Sequence, residues 1–493
     1  MSSEKDPKLT TRRDFIRNAS CAAVGTWALK STIRDLRLMN AAVAQTGLSG
    51  YKALVCLFLG GGNDANNWVV PTDTATYANY TAIRGNLALP HSSLLPLYSS
   101  GTTAYTDADG RSYGFHPGCP ELQTLFGEDK LAVVLNVGTI IRPITRAQYL
   151  ANATGTRPPQ LFSHSDQVTQ WQTSIPDQAP VTGWGGRLAD LLDPIANAAG
   201  NISMSVSLNG ANTFEIGNLI SQYHVSTTGA VTMSGNLMTG SGARVRALRD
   251  ILSINNTPSS TPNLQQRAYA EVVDRAIYTG DLLNSSIAAT ALDTFWTVPF
   301  PTTTLGSQMK MIARLIQARG PSAFNMSRQI FFCSKGGYDT HTAQVDVGGT
   351  SQPANTAGTH YQLLNDVSRC MFAFQRAMEQ IGAGSDVTTF TASDFSRTLP
   401  TNSQGSDHGW GSHHIVMGGA VIGGQTYGKL PTFAINGPDD TGTGRWIPTL
   451  SVDQHAATLA RWFGVDSTNM GTIFPNLSRF TGTQYGSNIG FMA

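Results

Sequence analysis

Two short, uninterrupted apolar runs constrain this chain more than anything else in it: Lys52 to Leu59 (KALVCLFL), running into Gly60, and Leu131 to Val137 (LAVVLNV). Continuous hydrophobicity, as opposed to alternation, is what a strand buried on both faces needs. Such strands occur in mainly parallel sheets covered by helices. Gln329–Cys333, Val387–Thr391 and Ile415–Val421 repeat the pattern. Between them Leu305, Met309, Ile312, Leu315 and Ile316 share one helical face, as do Leu363, Leu364, Val367, Cys370, Met371, Phe374 and Met378. Gln454–Phe463 predicts a closing helix. The alternation predicts a three-layer α/β fold with a mainly parallel central sheet and helices on both faces. Residues from about 190 to 262 break this rhythm. They are rich in Ser, Thr, Asn and Gly, end in Thr257-Pro258-Ser259-Ser260-Thr261-Pro262, and read as an insertion that either caps the site or decorates the surface.

The first 44 residues read as an export signal. Thr11-Arg12-Arg13-Asp14-Phe15-Ile16-Arg17 fits the twin-arginine pattern, and Ala42-Val43-Ala44 offers a small-x-small cleavage site. The expected mature domain is 45–493, periplasmic or secreted, with the twin-arginine translocase and a signal peptidase as partners during export. No later run reaches the roughly 18 to 20 apolar residues of a membrane span. Of 33 basic and 32 acidic residues in the chain, eight and four lie in residues 1–44, so the remainder is slightly acidic. With no basic stripe interleaved with aromatics, a nucleic-acid partner is excluded. The five cysteines lack any zinc-clasping spacing, and Cys56, Cys333 and Cys370 are expected to be buried thiols.

Three segments concentrate polar chemistry. Gly60-Gly61-Gly62-Asn63-Asp64-Ala65-Asn66-Asn67 follows the first strand, which places Asp64 at a carboxyl strand end, where open α/β sheets bind ligands; Asn67 is a candidate for substrate. Neither GK[ST] nor G-x-G-x-x-G is present, so a nucleotide loop is not expected. Gly336-Gly337-Tyr338-Asp339-Thr340-His341 follows another strand, and in extended backbone Asp339 and His341 point the same way. Ser406-Asp407-His408-Gly409-Trp410-Gly411-Ser412-His413-His414 carries three histidines in seven residues. Imidazole and carboxylate together suit zinc, manganese or iron. A strand starting at His413 or His414 would turn only one of the two toward the site.

Gly-Gly-Asn-Asp after strand one, Asp-Thr-His, Ser-Asp-Phe-Ser-Arg-Thr (393–398) and Asp-His-Gly-Trp-Gly, behind a twin-arginine leader, resemble the bacterial domain-of-unknown-function family 1501. That family is similar to the alkaline phosphatase and sulfatase superfamily. The resemblance implies an alkaline phosphatase-like fold and a site for two divalent ions, of zinc, manganese, iron or calcium. Its ligands would be Asp64, Asp339, His341, Asp407, His408 and His413 or His414. The superfamily spaces its middle Asp and His four residues apart, and this chain spaces them two apart. Superfamily nucleophiles open a helix after an early strand, which points to Ser163, then Ser165, in Phe162-Ser163-His164-Ser165-Asp166-Gln167, with His164 as the second catalytic candidate. A helix cap is the competing role for Ser163. Arg397 and Arg187 are candidates to grip a phosphate or sulfate, against the commoner structural salt bridge. The implied activity is hydrolysis of a phosphate or sulfate ester on a small molecule or polymer. The alternative is a non-catalytic extracytoplasmic binding or surface-assembly protein that retains the fold.

Overall fold

The computed structural model describes residues 48–100, 103–230, 247, 250–252, 264–290, 293–345 and 358–493. The chain separates into Met1–Gly47 and Leu48–Ala493. The twin-arginine motif, the Ala42-Val43-Ala44 site and Cys21 therefore lie outside the described residues.

Ten strands form one sheet: β1 (Lys52–Gly60), β2 (Leu131–Gly138), β3 (Ser205–Ser207), β4 (Tyr223–Ser226), β5 (Gly229–Ala230), β6 (Arg328–Gly336), β7 (Val387–Ser393), β8 (Ser412–Met417), β9 (Thr426–Tyr427) and β10 (Leu450–Ser451). Their order is β5-β4-β3-β6-β1-β7-β8-β2-β9, with β10 also on β2. β6, β1 and β7 run parallel at the centre, and β8 is antiparallel to both of its neighbours. The sheet is thus mixed and mostly parallel. Leu54, Val55, Leu57 and Leu59 of β1 are fully buried, as the unbroken apolar run requires. Each such side chain contributes roughly 1.5–3 kcal/mol.

The longer helices among the described residues are α1 (Thr74–Arg84), α2 (Pro120–Gly127), α3 (Arg146–Ala151), α4 (His164–Thr173), α5 (Trp184–Ala196), α6 (Leu264–Ala288), α7 (Thr304–Gln317), α8 (Thr359–Gln380) and α9 (Val452–Phe463). α8 packs on α2 and α7, while α5 packs on α4. Trp184 of α5 and His455 of α9 both meet the Phe390 ring of β7. The amphipathic faces read from the sequence are the buried ones: Leu305, Met309, Ile312, Leu315 and Ile316 of α7 are at 0 % exposure. α9 starts on a capping box, with Ser451 Oγ accepting from Gln454 N at 3.0 Å and Gln454 Oε1 accepting from Ser451 N at 3.1 Å. Among the described residues no helix is long and apolar enough to cross a membrane.

Two expectations change. The segment read as an insertion is not wholly outside the core, because β3 pairs in parallel with β6 and carries β4 and β5 to the sheet edge. Its Ser-rich sequence concealed this: Ser205 and Ser207 are buried strand residues. Most of the remainder, from 231 to 262, lies outside the described residues. The strand expected at 415–421 starts earlier, at Ser412, and ends at Met417 ahead of Gly418 at φ 152.

Parallel pairing levels Gly60 with Gly336 and Leu59 with Ser393, so the three strands end together at one edge. The segments that follow these three strands therefore meet. The meeting needs glycine at 61: its φ is 113, and a Cβ there would strike the backbone N of Asp339.

Candidate metal centre

Asp339, three residues past β6, lies over the carboxyl ends of the central strands with His341, His408 and His164, the first residue of α4. His164, Asp339 and His408 place one ligand atom each within 4.8 Å of one another. Asp339 Oδ1 is 3.5 Å from His164 Nε2, 3.2 Å from His341 Nε2 and 3.4 Å from His408 Nε2. His408 Nε2 is 3.1 Å from His164 Nε2 and 2.8 Å from His341 Nε2. Donors at the corners of a tetrahedron around zinc, with bonds of about 2.0–2.1 Å, stand roughly 3.3 Å apart. The spacing of His164, Asp339 and His408 therefore fits a first-row cation, and His341 lies against two of these three, Asp339 and His408.

The other ring nitrogens decide what the Nε2 atoms can do. His164 Nδ1 meets Asp394 Oδ2 at 2.6 Å, His341 Nδ1 meets Asp407 Oδ1 at 3.1 Å, and His408 Nδ1 meets the Phe162 carbonyl at 2.7 Å. All three partners accept, so each Nδ1 carries the proton in a neutral ring and each Nε2 presents a lone pair. Three lone pairs and a carboxylate oxygen then converge with no hydrogen among them. Such an arrangement is repulsive alone and becomes favourable around a cation, and the carboxylate or carbonyl behind each imidazole is the usual support of a metal-binding histidine.

The electrostatics agree. Burial depresses the His408 pKa, only partly offset by the Phe162 carbonyl, and the charges of His164, Arg397 and His341 depress it further. Partial burial pushes Asp339 up, but the Arg397 hydrogen bond and charge, with His164 and His341, outweigh it and hold the carboxyl below its ordinary range. Asp407 is likewise held low against burial by Asn402, His341 and Arg397. Asp339 is 49 % exposed and His408 21 %, so the cluster opens to solvent on one side.

Other sequence candidates are placed elsewhere. Asp64 is fully buried against Arg84, with Gln344 also donating to its carboxylate. It sits outside the four-residue cluster because α1 supplies a fixed cation first. Asp407 stands behind His341 as its hydrogen-bond partner. His413 and His414 are inside the sheet, because antiparallel β8 runs away from the site edge from its first residue. His413 Nδ1 accepts from Asn136 N at 3.1 Å, and the His414 ring lies 5.0 Å from that of Trp171. His164, read as a catalytic residue with Ser163, is among the converging donors. Ser163 is the N-cap position of α4 but makes no side-chain cap bond; its hydroxyl donates to Asp166 Oδ2 at 2.6 Å.

The residues considered for substrate are engaged by the protein. Asn67 accepts from Tyr80 Oη and Arg84 Nε and donates to the Leu87 carbonyl. Arg187 spans α5 and its neighbours through the Ile473, Thr182 and Thr173 carbonyls. Arg397 is fully buried, donates to the Ser406 and Gly61 carbonyls, and grips Asp339 Oδ1 at 3.0 Å. Its binding partner is therefore a carboxylate of the cluster itself. The roles of Asp394 and the Phe162 carbonyl were not foreseen. Asp394 could have been found, since it follows a central strand directly; a backbone carbonyl leaves no sequence signal.

Residues 285–470 match the profile of the family described as "Protein of unknown function (DUF1501)", the family the motifs resemble. No curated protein matches the chain. Among solved structures, the chain is similar to Ps i-CgsB in complex with k-i-k-neocarrahexaose, at 8 % identity and a TM-score of 0.32 over 86 % of this chain and 74 % of that one. It is similar to a Bacteroides thetaiotaomicron protein from a core genetic locus for the metabolism of multiple glycosaminoglycans, at 10 % identity and 0.35, covering 90 % and 77 %. It is also similar to the PsFucS1 sulfatase from Pseudoalteromonas sp., at 10 % identity and 0.32, covering 93 % and 76 %.

Proposed function

We propose that this chain is an exported, metal-dependent hydrolase of a sulfate or phosphate ester, with one cation held by His164, Asp339, His341 and His408. The observation that carries the reading is the convergence of His164, Asp339 and His408, with His341 against the last two, where each imidazole has its Nδ1 partner behind it and Arg397 holds Asp339. The expectation of two ions contracts to one in this proposal, since Asp64, His413 and His414 stand outside the cluster. A bound divalent ion would supply Lewis acidity toward an ester oxygen and toward water. The protein's part is to hold the rings in one tautomer, to neutralise Asp339 through Arg397, and to leave one side open to solvent.

The Ser163 hydroxyl, bonded to Asp166, favours a second reading: an extracytoplasmic binding protein that keeps the fold and the cation without covalent catalysis. One experiment separates them. Metal analysis of the purified protein should give about one equivalent, lost in His408→Ala and His164→Ala, with aryl sulfate or aryl phosphate turnover lost in parallel. One equivalent without turnover selects the binding protein, and no bound metal refutes both. Ser163→Ala then tests the nucleophile: turnover that survives it excludes a Ser163 intermediate.

A further inference from the structure

Beside the cluster lies a concave cup of about 530 Å³, formed by the segment that joins α3 to α4. Tyr149, Asn152, Thr154, Arg157, Gln160 and Phe162 line it, and no carboxylate does. The Arg157 guanidinium lies 4.6 Å over the Tyr149 ring. Arg142 reaches the same turn, its Nη2 within 3.9 Å of where a Cβ on Gly155 would stand. Among the described residues neither Arg142 nor Arg157 has a hydrogen bond or a carboxylate partner. A third guanidinium, that of Arg445, stacks 4.4 Å from the Phe162 ring while its Nε donates to the His408 carbonyl.

An arginine laid flat on an aromatic ring is held by its face and keeps its planar edge of N–H groups for an outside acceptor. That edge matches the oxygens of a sulfate or phosphate, and without a carboxylate in the cup nothing else satisfies it. Phe162 is the link to the cluster. It lines the cup, its carbonyl holds His408, and His164 follows two residues later, at most about 7 Å along the chain. Its φ of 73 is one that a bulky side chain rarely adopts, so the surrounding structure holds this junction in shape.

We propose that the cup is a second anion subsite, which takes a sulfate or phosphate group on the same substrate whose ester lies at the metal cluster. This inference rests on the hydrolase reading and narrows it to multiply charged substrates. With 33 basic and 32 acidic residues the chain carries no large positive excess of the kind that drives nucleic-acid binding, whereas a cup lined by Arg157, with Arg142 at its Gly155 turn, suits a single additional anionic group on the ester substrate.

The test uses Arg142→Gln, Arg157→Gln and their double variant, none of which touches the metal cluster. The probes are a fluorescent oligosaccharide bearing several sulfates, its phosphorylated counterpart and the neutral parent, read by anisotropy at low and raised salt. Wild-type protein should bind at least one charged probe and not the neutral one, and the tighter of the two identifies the anion. The double variant should bind about tenfold or more weakly, as expected for lost charged contacts, with metal content unchanged. For a multiply charged substrate KM should rise with kcat unaltered, while kcat/KM for a singly charged aryl ester stays constant. Equal binding by the double variant, or equal binding of the neutral probe, overturns the inference. A tenfold loss of binding in a protein that turns over no ester upholds the subsite and removes the hydrolase reading.

Discussion

The carboxylates behind the imidazoles allow a graded test. Asp394 meets His164 Nδ1 at 2.6 Å and is 4 % exposed, whereas Asp407 meets His341 Nδ1 at 3.1 Å and is 51 % exposed. Replacing either with Asn keeps the shape and removes the charge. Loss of such a partner typically weakens metal affinity by about 10- to 100-fold, or roughly 1.4–2.7 kcal/mol. The buried, shorter bond works in a lower dielectric and the exposed one is screened by water. Asp394→Asn should therefore fall near the hundredfold end and Asp407→Asn near tenfold or below. Competition against a chromophoric chelator reads the affinities, and circular dichroism with thermal melting checks that each variant remains folded. A folded Asp394→Asn that binds metal as tightly as wild type, or a reversed order of the two variants, would refute the assignment of His164 as a supported ligand.

Two further outcomes follow from buried charge elsewhere. Arg84→Ala leaves Asp64 fully buried without its cation and frees the Thr398 and Leu399 carbonyls, so urea denaturation should show a loss of about 3–5 kcal/mol with metal content of the folded protein unchanged. Loss of metal without loss of stability would return Asp64 to the ligand set. Burial raises the Glu215 pKa to about 8, against the partial opposition of Asn212 and the Val206 backbone. Because the folded pKa lies above the unfolded one, its contribution is complete below about pH 4.5 and is lost as pH rises toward 8. Glu215→Gln should flatten that part of the stability profile measured by denaturant titration, and a profile identical to wild type would show that Glu215 does not titrate there.

Much of the architecture was legible because strands buried on both faces must be continuously apolar and helices on a sheet must be amphipathic. β1, β2, β6, β7, α7, α8 and α9 were read in that way. The edge strands β3 to β5 were not, since short, Ser-rich strands carry no such run. At the site, Asp339, His341 and His408 were read from density of ligand-type residues and from position after strands. His164 was singled out for a different role.

Composition and pattern determined the sheet, its helices and the segments that close over the carboxyl edge, because burial acts on each residue locally. Which of seven polar candidates converge was decided only by the tertiary structure. Asp64 is claimed by Arg84 from α1, and β8 carries His413 and His414 into the sheet. His164 arrives from a helix distant in sequence, oriented by Asp394. Hydrogen bonding and strand direction made that choice, and neither is written in the spacing of the residues.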